Sequence, residues 1–400
     1  MRLQRCHALL IEPRETREID LDALVAGQPR LLARRRWLAL AAHLDAETEL
    51  DAAALALLGA VSPQDWTDRD ELLAAGHDPA TLDALHAAGL LIAQGQDDAV
   101  ARADRSVRDG HWRGLSAVAH RHLRWRGIDT RTAHADDGVD ADGALAAKRL
   151  ARMGPPPPVA QARCAPGLRR ALPPAQPGGL DALLARRVTC RNFDPARPLP
   201  LATLASMLSR VYGARAHSEV SGVPVLKKNV PSAGGLHPVE AYLLVRRVEG
   251  LAPGLYHYHA VDHALEPLRE LDVADSAALA ERFVAHQAWF IEAPVQVVLV
   301  ARFARTFWKY RNHAKAWRAI NLDAGHLSQL QYLVATELGL AAFITAAINE
   351  GEIEDAFGLD PMAEGVLAVT GFGHRAGAMD QLEFDPLASV WPAPSPAAPA

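Results

Sequence analysis

The sequence predicts an α+β catalytic domain behind a smaller, winged-helix-like N-terminal domain. Three observations carry that prediction. Three runs rich in β-branched residues, AYLLVRRV (241–248), APVQVVLVARF (293–303) and GVLAVTGFG (365–373), read as strands. One long segment, NLDAGHLSQLQYLVATELGL (321–340), has helical spacing and so little polar face that it belongs at the centre of a core. Strands and helices do not alternate strictly, which favours α+β over a doubly wound sheet.

Taken in order, residues 1–152 form the first domain. ELDAAALALLGAV and DPATLDALHAAGLL carry apolar residues at helical spacing, with Thr67 and Asp78 as N-caps and Gly89 ending the second before a strand-like LLIAQ. Short helices followed by a hairpin make a winged helix. The helix from Asp78 to Ala88 has no Lys or Arg to meet phosphate, so the expectation is peptide docking on the wing and no nucleic acid. The Arg-rich stretch Arg102–Arg126, with Trp112 and Trp125, suits either a grip on an acidic peptide or a solvated amphipathic helix. Residues 153–179 contain PPPP and further prolines, which remove backbone donors and hold the chain extended; they read as a linker. Residues 180–385 form the catalytic domain, and 386–400 a Pro/Ala-rich tail.

Composition narrows the function. A net charge of -5 over 400 residues gives no global basic field for nucleic acid or an acidic membrane. Three cysteines lie far apart with no CxxC pair, which fits a reducing compartment and no zinc knot. Without a signal-peptide pattern or a run of 18 apolar residues, the expected location is the cytoplasm. The histidines of LYHYHAVDH lack the companions a tetrahedral metal needs, so no metal is assigned and a hairpin is expected.

Two stretches suggest chemistry. In ARRVTCRNF, Arg187, Thr189 and Arg191 alternate, so extended backbone turns two guanidinium forks and a hydroxyl to one side, a phosphate clamp; an exposed edge with solvated arginines would look the same. In NVPSAGGLHPVEAYLLV, Pro231 and Ser232 open a turn, and Gly234 and Gly235 let backbone approach a flat ligand closely. A plain loop before a strand is the alternative.

These stretches, in this order, resemble the nitroreductase superfamily of flavin mononucleotide (FMN) enzymes, whose R-x-S-x-R-x-F matches RVTCRNF with Thr189 for the serine. Within it the likeness is to SagB-type azoline dehydrogenases of peptide maturation, and it continues through GLYHYH and KYRNHAKAWRAINLDAGHLSQ over residues 180–375. The resemblance implies an FMN-binding sheet wrapped by helices, a homodimer with flavin at the interface, a precursor peptide docked by its leader, and a cyclodehydratase-type partner. It assigns flavin contacts to Arg187, Thr189, Arg191, Pro231, Ser232, Gly234, Gly235, Thr345, Ala346, Gly373 and Arg375. It departs from the family pattern at Gly235 and His237, where Asn and Gln are common, and in FITAAINEGE, which lacks the usual glycine. It also matches Lys309 and Tyr310, in FWKYRN, to the catalytic Lys-Tyr pair. Oxidising an azoline removes a proton as well as a hydride, and a lysine desolvated among Phe307, Trp308 and Trp317 would be basic enough to take that proton. Tyr310 would orient the substrate or relay the proton. Adjacent residues serve one substrate only if the chain bends there. The alternatives are a flavin-dependent reductase of dehydroamino acids or of nitro or quinone compounds, and a non-catalytic scaffold.

Overall fold

The computed structural model describes residues 1–133, 150–176 and 178–392. The larger part, after the linker, is built on six antiparallel strands in the order β11-β10-β9-β12-β14-β13. These are β9 (Val239–Val245), β10 (Gly254–His259), β11 (Ala264–Glu270), β12 (Val295–Arg302), β13 (Ala341–Thr345) and β14 (Glu364–Gly373). The three β-branched runs become β9, β12 and β14, the adjacent middle strands. Both their faces are buried: Ala241, Leu243, Val297 and Leu299 point to one core, Leu244, Val298 and Val300 to the other. That two-residue alternation is why the runs are apolar throughout.

Helix Ala316–Glu337, the central helix, packs Ile320, Ala324, Leu327, Val334 and Ala335 onto the first face. Helix Val273–Phe283 and Phe290 cover the second, where Phe290 stacks on Phe343 at 4.1 Å between centroids. LYHYH and HALEP form the β10–β11 hairpin. Of its histidines, His257 lies between Glu240 and Glu266.

The N-terminal part has helices Ala52–Ala60, Arg69–Ala74 and Pro79–Ala87, with β5 (Thr67–Asp68) entering the second and β6 (Leu91–Ala93) following the third. The expected hairpin is replaced: β6 and β5 both pair with β1 (Arg2–Arg5), so the chain terminus supplies the middle strand. The cap of the second helix is Asp68 rather than Thr67, while Asp78 does cap the third by accepting from Thr81 N–H at 2.9 Å. An antiparallel arm of β2 (Leu9–Ile19) and β3 (Leu31–Ala41) projects from this part.

The Arg102–Arg126 stretch divides: helix Ala99–Asp109 is amphipathic with Arg102 and Arg105 on its exposed face, as one of the two readings expects, while the chain from Trp112 to Arg124 packs between the two parts. Trp112 is 1% exposed and donates Nε1–H to Met362 O at 2.9 Å; His120 stacks on it and Phe303 tilts against it. Arg124 pairs with Glu354, both ends buried, and also with Asp45. Arg124 and Arg126, paired with Glu354 and Asp355, thus help join the two parts over a shared apolar core that includes Leu38, Val107, Phe303 and Phe307.

Residues 153–176 are exposed almost throughout, with one turn of 3-10 helix at Pro166–Leu168. Trp391 folds back and donates to Glu383 at 2.8 Å, so residues 386–392 belong to the folded part rather than to a loose tail; 393–400 lie outside the described residues. Among the described residues, no helix is long and apolar enough to cross a membrane.

Candidate functional site

Segment 187–191 runs extended along the edge of the sheet, Thr189 bridging Ala342 in parallel. Val188 and Cys190 are buried in the sheet while Arg187, Thr189 and Arg191 face outward, the alternation read from the sequence. Thr189 Oγ1 lies 3.1 Å from Tyr332 Oη, and the Arg187 guanidinium stands 5.3 Å from the Tyr332 ring centroid. Neither Arg187 nor Arg191 has a carboxylate partner among the described residues; Arg191 Nη1 donates weakly to Leu382 O at 3.5 Å, which leaves the charge of both groups unmatched for an anion. Tyr332 was not legible as part of this cluster, because its helix reads as uniformly apolar.

Arg375 differs. Its guanidinium pairs with buried Glu383 and lies over the Trp391 ring, and Glu383 also accepts from the Arg191 and Asn192 backbone N–H groups at 2.7 and 3.1 Å. Arg375 therefore has its charge matched inside the fold, unlike Arg187 and Arg191. Gly373 is a packing glycine: a Cβ there would meet Pro294 Cδ at 2.3 Å. Thr345 turns inward and bonds Gln287 Nε2 at 3.1 Å, so its hydroxyl is not offered to a ligand; Ala346 is exposed beyond the end of β13.

The second cluster surrounds Pro231–His237. Gly234, Gly235 and His237 have φ of +65°, +68° and +47°, three left-handed residues within four positions. Ser232 Oγ closes this turn by accepting His237 N–H at 2.9 Å and donating to Asp323 at 2.5 Å. His326 on the central helix faces Pro231 O at 3.2 Å.

Lys309 and Tyr310 meet at Gly234. Helix Phe303–Phe307 ends just before them, the Lys309 and Tyr310 N–H groups both return to Thr306 O, and Asn312 takes a φ of +50°. This is the bend that adjacent residues need to share a target. A Cβ on Gly234 would lie 2.8 Å from Tyr310 Oη and 3.1 Å from Lys309 Nζ. The ammonium stands 5.4 Å from the Tyr310 ring centroid.

The expected aromatic enclosure is absent. Lys309 is exposed, Trp308 is 51% exposed, Phe307 packs on Trp112 and Trp317 approaches His120. The desolvated lysine is a different one. Lys228, 3% exposed, lies behind the loop with Asp323, His237 and Pro231. Burial lowers it to about 8, with Glu240 and Asp323 pulling the other way. His237 is lowered to about 4 by burial and then by Lys228, while burial raises Asp323. The only trace of this in the sequence is the Lys227–Lys228 doublet, in which nothing says which lysine turns inward.

The two clusters flank the central helix. Asp323 and Tyr332 are nine residues apart, hence about half a turn out of phase and about 13 Å apart along the axis. Between them runs an exposed stripe of Arg318, Leu322, Gly325 and Gln329.

The family model for the nitroreductase family matches residues 184–374. A relative from Methanocaldococcus jannaschii, MJ1384, named among the nitroreductases, is 30% identical over 46% of this chain and 86% of its own. The trifolitoxin-processing protein TfxB of Rhizobium leguminosarum bv. trifolii is 28% identical over 36% of this chain. The microcin B17-processing protein McbC of Escherichia coli is 25% identical over 46% of this chain. The chain spans 38% and 65% of the lengths of these last two. Among solved structures, a chain of the E. coli microcin synthetase McbBCD complex matches with a TM-score of 0.49 and 18% identity, over 71% of this chain and 100% of that one.

Proposed function

The chain belongs to the nitroreductase family, and from that premise we propose that it is an FMN-dependent dehydrogenase oxidising azoline rings of a ribosomally made peptide to azoles. The observation that carries this reading is the convergence of Lys309 and Tyr310 on Gly234, in a loop where Gly234 and Gly235 are left-handed and Gly235 has open space beside it. The relatives named for processing trifolitoxin and microcin B17 support a peptide substrate over a small nitro compound or quinone. A cyclodehydratase-type enzyme would supply the azoline.

The residues fit FMN. Arg187, Thr189 and Arg191 offer its phosphate a hydroxyl and two guanidinium groups that have no carboxylate partner among the described residues, and Pro231, Ser232, Gly234 and Gly235 offer backbone to its ring. When bound, the flavin supplies an acceptor for the hydride that leaves the azoline carbon. The chain supplies the rest. Lys309 Nζ takes the proton from the neighbouring ring carbon, and Tyr310 Oη orients the ring so that this proton faces the amine. Peptide lying over Gly234 would exclude water from the space around Lys309.

The clamp and the loop lie on different flanks of the exposed stripe on the central helix, which supports a homodimer packed along that stripe. The clamp of one chain would then stand beside the loop of its partner.

The test is to load the purified protein with FMN and add a thiazoline-containing peptide without oxygen. Flavin reduction with a mass loss of two hydrogens from the peptide is expected. A protein that binds no FMN, or whose reduced flavin is consumed only by nitro compounds or dehydroamino acids, contradicts the reading.

A further inference from the structure

The turn that presents Gly234 needs support from outside itself. Gly234, Gly235 and His237 are all left-handed, and backbone of that kind persists only where its surroundings fix it. The bond from His237 N–H to Ser232 Oγ closes the turn without setting where the turn sits. Three side chains tie it to the rest of the fold. Arg305 Nε donates to Leu236 O at 3.0 Å, His326 Nδ1 lies 3.2 Å from Pro231 O, and Asp323 accepts the Ser232 hydroxyl at 2.5 Å. Of the three, Asp323 is the buried charge.

That burial is the anomaly. Asp323 is 5% exposed and sits on the inward side of the central helix beside Ile320, Ala324 and Leu327, whereas Glu337, the helix's other acid, is exposed and pairs with Arg210. A carboxylate in such a wall is costly unless hydrogen bonds and nearby positive charge offset its desolvation. Among the described residues no Lys or Arg forms an ion pair with it, and the nearest basic group is the exposed His326, whose Nδ1 stands at 4.0 Å. Burial pushes the Asp323 carboxyl up, while the Ser232 hydroxyl, His326, the Ala233 N–H and Lys228, in that order, hold it down. Lys228 lines a cavity of about 10 Å³ together with Asp323 and His237, and it faces Glu240 and Arg302 as well. His237 is neutral at pH 7. The strongest of these contacts comes from the turn itself: Ser232, which both meets the carboxylate and closes the loop on His237.

We propose that Asp323 is a positioning residue for the Lys309–Tyr310 pair: by accepting the Ser232 hydroxyl it fixes the turn on the central helix and so holds Gly234 where the two side chains meet. It acts through Ser232 and touches neither Lys309 nor Tyr310. The inference rests on the function proposed above only for what the turn is held to do.

The test is hydrogen–deuterium exchange of the full-length chain at pH 7, read on a fragment spanning residues 230–240, in Asp323→Asn, Ser232→Ala and the double variant. Asn keeps the shape of Asp and one acceptor but gives up the charge-assisted bond. Each single variant is expected to exchange about tenfold or more faster than wild type in this fragment, with the amides of the β9–β14 sheet unchanged. The double variant should exchange no faster than the faster single one, since both remove the same bond. In turnover of a thiazoline-containing peptide, kcat of Asp323→Asn should fall by a similar factor. Wild-type exchange in Asp323→Asn overturns the proposal, as do losses that add in the double variant. Acceleration spread equally over the sheet overturns it too, because Asp323 would then serve the core and not the turn. Exchange needs no substrate. A chain whose turn depends on Asp323 yet never reduces flavin with an azoline peptide keeps this inference and loses the function proposed above.

Discussion

At the scale of single residues, Gly234 decides whether the Lys309–Tyr310 pair can form. Gly234→Ala would strain a left-handed position by about 1 kcal/mol and set a methyl 2.8 Å from Tyr310 Oη. The expected result is a small drop in denaturant midpoint and a much larger drop in peptide turnover, because the Lys309 and Tyr310 side chains must move apart. Comparable losses in both would make Gly234 merely structural. Lys228 gives a second prediction, through pH. Its folded value of about 8 lies below the ordinary 10.5, so between those values the unfolded chain holds a proton that the folded chain has released. Folding stability should therefore rise from about pH 8 to about pH 10.5, by on the order of 2–3 kcal/mol, and Lys228→Met should lack that rise. Identical pH profiles would place the ammonium in water. Residue-scale chemistry was half legible. Alternation exposes Arg187, Thr189 and Arg191 in the sequence, whereas the burial of Lys228 and the partnering of Arg375 by Glu383 depend on chain about 95 and about 8 residues away and leave no local pattern.

At the scale of elements, the joint between the two parts includes a buried ion pair and an aromatic cluster. Arg124→Ala leaves Glu354, whose side chain is 2% exposed, as an unpaired buried carboxylate, at an expected loss of about 3–5 kcal/mol by urea unfolding. Replacing both residues with Met should restore much of that loss, since two apolar side chains leave no orphan charge. A double variant as unstable as the single one would show that packing, not the orphaned charge, is responsible. The strands β9, β12 and β14 and the central helix were legible because continuous apolar runs are what burial on both faces requires. The pairing of β6 with β1 was not. It joins residues about ninety positions apart, and a short strand does not announce its partner. The Arg102–Arg126 stretch was legible in its first half, where Arg102 and Arg105 are solvated, and not in its second, where Arg121 and Arg124 look solvated until Asp45 and Glu354 are brought to them by the fold.

For the whole molecule, the shared core carries a consequence for any attempt to separate the parts. Removing residues 1–179 would uncover Phe303 and Phe307, which pack on Trp112, and is expected to give an aggregating or FMN-free protein rather than an independent catalytic domain. A soluble, yellow 180–400 fragment would contradict that. The central claim is that Lys309 removes the proton while the ring is oxidised, and one comparison tests it most directly: anaerobic single-turnover flavin reduction by a thiazoline-containing peptide, in wild type and in Lys309→Arg. Arginine keeps the charge and most of the reach but cannot give up its proton at any working pH. The predicted result is normal FMN binding with flavin reduction slowed by about 10² to 10⁴. A Lys309→Arg protein that reduces its flavin at the wild-type rate would contradict the assignment.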